Sequence, residues 1–192
     1  SNIDPLGYTP TVHRTHAFKY DNGTMSDLGT VLTSTGYSRG HGINTSGEIA
    51  GRASLVDFEN SQKHQATWDA TGNISSNDPG VGIYSTAQQI NNNGVVVGLA
   101  YDDSAAITNF DRAAVWDGNG FHFMDDLGSG HGRAWSINDV GSIVVFSYDA
   151  GFDQLATVSS DGQTVLDLNT VGDQLARSGY VCLSSGSAYD AL

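Results

Sequence analysis

The stretch Ile43-Asn44-Thr45-Ser46-Gly47 decides how this chain is read, because it returns as Ile90-Asn91-Asn92-Asn93-Gly94 and again as Ile137-Asn138-Asp139-Val140-Gly141. A worn copy, Ile3-Asp4-Pro5-Leu6-Gly7, opens the sequence. The isoleucines stand 40, 47 and 47 residues apart. Self-similarity at such a period marks a repeat architecture, in which each unit packs against its neighbours. The closing Gly of each copy implies a tight turn with positive φ, a region that only Gly enters without cost.

The residues after each turn keep one order. A short apolar run comes first: Ile49-Ala50-Gly51, Val96-Val97-Gly98 and Ile143-Val144-Val145. These runs are β-branched and apolar enough for buried strands. A third strand follows as His64 to Trp68, Arg112 to Trp116 and Gln154 to Val158, each running into a turn with Gly72, Gly120 or Gly162. The fourth strand is expected over Met124–Gly128 and Val165–Asn169. Strand one precedes each Ile, over Arg39–Ile43, Thr86–Ile90 and Arg133–Ile137. In the first unit, Asp21-Asn22-Gly23 between His16–Tyr20 and Thr24–Thr30 is a hairpin signal, because Asn-Gly tolerates positive φ at both central positions. A helical turn or two is expected over Val171–Ser178.

The reading is one repeat domain, residues 1–192, with units near 3–42, 43–89, 90–136 and 137–192. The fold class is all-β, a small propeller-like ring of about four four-stranded units, the alternative being an open array of β-hairpins. Residues 187–192 look like a strand one, and the N-terminus starts at the Ile column. The expectation is that 187–192 complete the N-terminal blade, which removes free sheet edges.

The run His16-Ala17-Phe18-Lys19-Tyr20-Asp21-Asn22-Gly23, together with the Ile-Asn-x-x-Gly turns, resembles the HAF family of extracellular repeats. The full His-Ala-Phe motif occurs once; later units carry His64, Arg112 and Gln154 in place of His16, and Ala66, Ala114 and Ala156 in place of Phe18. The resemblance implies bacterial secreted or cell-surface proteins with β repeats, and it carries over no catalytic residue.

The chain has 192 residues, a formal charge of −13 and eight Lys and Arg. So acidic a surface repels phosphate backbones, which argues against nucleic acid as a partner. No apolar run approaches the length of a membrane span. Cys182 is the single cysteine, so no intrachain disulfide forms; its neighbours Val181 and Leu183 fit a small buried residue.

No His, Cys and carboxylate set has the spacing of a metal centre, and there is no phosphate loop. No cofactor is expected; a structural calcium held by turn oxygens is the one ion the sequence leaves open. Asp21, Asp69 and Asp117 recur after the third strand and read as turn residues accepting backbone N–H bonds. Trp68 and Trp116 share a column with Tyr20 and Val158 and read as core between units. Trp135 is different, standing two residues before its Ile where the other units have His41 and Gln88. Two further back stand Arg39, Thr86 and Arg133. The two-residue period of a strand places these columns on one face with the Ile. If strand one lines a central channel, Arg39, His41, Gln88, Arg133, Trp135 and Asp190 form its rim and are the candidate ligand-binding set. Aromatic and amide groups at a channel mouth suit a glycan or peptide. The expected function is a secreted or cell-surface, non-catalytic recognition module; the alternatives are a structural or assembly domain of a surface protein and, third, a propeller-type hydrolase or lyase.

Overall fold

The computed structural model describes residues 15–31, 36–54, 63–76, 83–102 and 111–170. The chain is all-β across them. A hairpin of β1 (Phe18–Asp21) and β2 (Thr24–Asp27) comes first. Three four-stranded antiparallel meanders follow. Sheet 1 contains β3 (Ser38–Ile43), β4 (Ile49–Ser54), β5 (Lys63–Trp68) and β6 (Ile74–Ser75). Sheet 2 contains β7 (Ile83–Ile90), β8 (Val96–Asp102), β9 (Arg112–Asp117) and β10 (Gly120–Phe123). Sheet 3 contains β11 (Gly128–Ile137), β12 (Ile143–Asp149), β13 (Gln154–Ser159) and β14 (Leu166–Asp167).

Each sheet begins with strand one, so the sheet boundaries lie one strand earlier than a division at the Ile column. The hairpin corresponds in sequence to the third and fourth strands of the first unit. The strands that would complete it, residues 1–12 and 187–192, lie outside the described residues, as do Val171–Ser178 and Cys182. The fourth strand of sheet 2 falls at Gly120–Phe123, earlier than Met124–Gly128. The reason is local: Asp117 pairs directly with Gly120, and the Asn119 N–H donates to Asp117 Oδ1 at 2.7 Å, so the chain reverses over two residues. In sheet 3 the fourth strand is Leu166–Asp167, and residues 168–170 turn helical.

The turn chemistry follows the sequence. Asn22 and Gly23 have φ of +48° and +84°, giving the hairpin its two positive-φ positions. Gly47, Gly94 and Gly141 have φ of +82°, +77° and +87°. In each of these turns the Asn side chain closes the loop, as where Asn91 Oδ1 accepts the Val95 N–H at 2.9 Å. The same turns also stack. Asn44 Nδ2 donates to the Asn91 carbonyl at 3.1 Å, and Asn91 Nδ2 donates to the Asn138 carbonyl at 3.0 Å. Beside them Thr45 N–H donates to Asn92 Oδ1 at 2.8 Å, and Asn92 N–H donates to Asp139 Oδ1 at 2.9 Å. The asparagine column is thus a ladder that ties each unit to the next and satisfies backbone carbonyls at the same time.

The core is divided among the joints between units. Ala17, Leu28, Ile49, Ala53, Ala66 and Trp68 close the joint between hairpin and sheet 1. Ala50, Ala87, Ile90, Val96, Ala100, Ala114 and Trp116 close the joint between sheets 1 and 2. Val97, Val115, Met124, Ile137, Ile143, Val145 and Val165 are among those closing the joint between sheets 2 and 3. Even-numbered residues of β8 face sheet 1 and odd-numbered ones face sheet 3. Both faces are buried, so the strand reads as a continuous apolar run. Trp68 and Trp116 are core, as expected of their column, whereas Tyr20 of the same column is largely exposed and Val158 half-buried; Trp68 Nε1–H donates across its joint to the Leu28 carbonyl at 3.0 Å.

Candidate functional site

Each first strand carries a β-bulge at the same column. Pairing skips from Gly40 to Gly42, from Ala87 to Gln89 and from Ala134 to Ser136. The extra residues are His41, Gln88 and Trp135, the column singled out in the sequence. A bulge re-aims the side chains around it and interrupts the two-residue alternation. The face assignment from strict alternation therefore fails at this column, and Arg39 and His41 do not simply share the face of Ile43.

The bulges bring part of the candidate set together. A cavity of about 230 Å³ is lined by His41 and Arg52 of sheet 1, by Tyr84, Thr86, Gln88 and Leu99 of sheet 2 with the adjoining Asp111, and by Arg133 of sheet 3. His41, Gln88 and Arg133 thus meet as expected. Arg39 is exposed and lies outside the lining; its guanidinium stands 5.9 Å from the Tyr37 ring. Trp135, 38% exposed, also lies outside it. Asp190 lies outside the described residues.

The polar groups of the cavity differ in how they are satisfied. His41 Nδ1 is 2.7 Å from the Ala87 carbonyl, so Nδ1 carries the hydrogen and Nε2 is the imidazole's second polar atom. Loss of water around the ring lowers the His41 pKa from its ordinary 6.5; the charges of Arg52 and Arg39 add to this, and the bond to Ala87 opposes it. Arg133 forms an ion pair with Asp111. Arg52 has phenols as partners: Nη1–H donates to Tyr84 Oη at 2.8 Å and Nη2–H to Tyr37 Oη at 3.3 Å. Burial works against the Arg52 charge, but the two phenols outweigh it and the net direction of its pKa is upward. Its Nε is buried without a partner, as is Thr86 Oγ1.

Sequence reasoning missed Arg52, Tyr84, Leu99 and Asp111, and left Thr86 out of its set. A signal existed for Arg52. At the 47-residue spacing its column holds Leu99 and Phe146, so a cation replaces two apolar residues.

The acidic turns are occupied by their own backbone. Asp69 Oδ1 accepts the N–H groups of Thr71 and Asn73, both at 2.9 Å, and Asn73 Nδ2 donates to Asp69 Oδ2 at 2.8 Å. Among the described residues no three His, Cys, Asp or Glu side chains converge as a metal site. No helix among them is long and apolar enough to cross a membrane. Comparison of the chain with known protein families, with curated proteins and with solved structures finds no match in any of the three.

Proposed function

We propose that this protein is a non-catalytic recognition module, secreted or displayed at a cell surface, that binds a glycan or peptide through the first strands of its sheets. The observation that carries the reading is the bulge column. Three units place their bulges at one position, and two of the bulged residues, His41 and Gln88, open onto a shared polar cavity. Bulges commonly mark places where a strand re-aims a side chain for a site. The lining holds one carboxylate, Asp111, already engaged with Arg133, which favours binding over acid/base chemistry. The extracellular placement rests on the resemblance to HAF repeats.

The test is a glycan and peptide array probed with the intact chain, with Gln88→Ala and, as a control outside the lining, with Trp135→Ala. Gln88→Ala should lose binding while its melting curve stays nearly unchanged, since Gln88 is only half-buried, and Trp135→Ala should keep it. Binding unaffected by Gln88→Ala would remove this reading. The structural alternative draws on a different feature: Phe18, Tyr20 and Met25 of the hairpin are largely exposed and fit an assembly surface. Reversible self-association in sedimentation, abolished by Tyr20→Ser and Met25→Ser, would favour it.

A further inference from the structure

We propose that the group held in the cavity is the carboxylate of an acidic sugar, with Arg52 as its anchor. This rests on the recognition reading and names the ligand class of that same site.

The first ground is charge. In a chain of net charge −13, three cations gather around one ring: Arg39 and Arg52 at 5.9 and 5.6 Å from the Tyr37 centroid, and Lys63 Nζ at 4.7 Å. None of the three pairs with a carboxylate among the described residues. The two phenols satisfy N–H groups of Arg52 and keep it charged, but they bring no carboxylate to it. An entering carboxylate meets a cation with a fork suited to it. Within the same cavity Arg133 is neutralised by Asp111, whereas the equivalent columns one unit earlier hold Thr86 and Lys63 and make no such pair.

The second ground is an orphan. Thr86 is 3% exposed, its hydroxyl has no partner, and it lines the cavity. A buried hydroxyl left unsatisfied calls for an explanation, and a ligand oxygen supplies one.

Size and lining select the ligand. The volume of about 230 Å³ lies below the roughly 300–1,000 Å³ of pockets for drug-sized ligands, so it admits one ring rather than an extended chain. His41, Tyr84, Thr86 and Gln88 offer hydrogen bonds on several sides, and Leu99 is the one aliphatic residue of the lining. That arrangement matches ring hydroxyls and leaves the methylenes of an acidic peptide side chain unmatched.

Titration calorimetry on the intact chain tests this with four probes: a disaccharide ending in glucuronate, its glucose counterpart, a 6-sulfated counterpart and a short peptide ending in glutamate. The glucuronate should bind about tenfold or more tighter than the neutral sugar, the usual scale of a hydrogen bond to a charged group. Arg52→Gln should erase that preference. Thr86→Val should weaken glucuronate binding about three- to tenfold with an unchanged or raised melting temperature, and it carries the test if Arg52→Gln does not fold. Equal binding of glucose and glucuronate would overturn the carboxylate while leaving recognition standing. Preference for the sulfate or the peptide would overturn the ligand class. Silence to all four overturns the acidic sugar, and a silent array as well removes recognition itself.

Discussion

Sheets 1 and 2 meet through small residues, whereas sheets 2 and 3 meet through large ones. At the first joint Ala50, Ala87, Ala100 and Ala114 dominate, and the backbones come close: a Cβ at Gly42 would lie 2.9 Å from Gln89 Cα and 3.0 Å from the Gln88 carbonyl. Opposite the bulges of sheets 1 and 2 stand glycines, Gly51 and Gly98. A Cβ there would collide with the carbonyl oxygens of Arg39 and Thr86. At the second joint the equivalent position is Val145, buried among Ile137, Ile143 and Met124. In sheet 3 the tight approach lies on the first strand instead, at Gly132, where a Cβ would come 2.9 Å from the Phe146 carbonyl. One repeat pattern thus produces two kinds of joint. Close backbone contact makes the first, and side-chain filling makes the second.

The sharpest way to break the comparison is to exchange what stands opposite the bulge. Gly98→Ala pushes a methyl group into the Thr86 carbonyl within the strand pair itself, where nothing flexible gives way. It should cost about 3 kcal/mol or more, or prevent folding. Val145→Ala removes packing and creates a cavity, for a loss of about 2 kcal/mol. Urea denaturation of both variants measures the difference. If Gly98→Ala is tolerated as well as Val145→Ala, the two joints are not different in kind.

A middle-sized effect tests what the joints share. Gly94 and Gly141 have the same turn conformation and open space around the Cβ position. Valine at either place suffers only the cost of its backbone angle, roughly 1 kcal/mol or more. Gly94→Val and Gly141→Val should therefore lose nearly equal amounts in thermal melts. Unequal losses would show that the turn ladder carries different loads at the two joints.

How much of this was legible in the sequence depends on whether the signal recurs. The Ile-Asn-x-x-Gly turns, the strand order and the buried tryptophan column repeat, and periodicity exposes them. The bulges do not show, because one added residue is invisible to a pattern of period two until pairing is known. That is why His41, Gln88 and Arg133 are found together while Arg39 and Trp135 fall away from the cavity. Arg52 is the one cation of its column and Thr86 stands between two arginines in its own, so a search for shared chemistry passes over both. Their chemistry appears only when the apolar or ion-paired character of the equivalent positions is set beside them.

The smallest effect separates the bulged residues themselves. Sheet 1 carries His41 at the column where sheet 3 carries Trp135, so one bulge titrates and the other does not. Burial and the charges of Arg52 and Arg39 hold the His41 pKa below its ordinary value of 6.5. The groups facing it include those two arginines, the Ala87 carbonyl, Gln88, and Asp111 with its partner Arg133. Below pH 6.5 the unfolded chain takes up a proton on this residue that the folded chain resists. The unfolded state then binds more protons, and stability falls with falling pH through the interval from 6.5 down to the folded value. Above pH 6.5 the contribution is fully present. His41→Gln keeps a donor for the Ala87 carbonyl and removes the titration, so its urea midpoint should change less between pH 7.5 and pH 5.5 than that of the parent chain. Trp135→Gln should leave that pH dependence as it is. Identical pH dependence in His41→Gln and the parent would show that the imidazole is solvated in the fold, and the electrostatic distinction between the first and third bulges would then disappear.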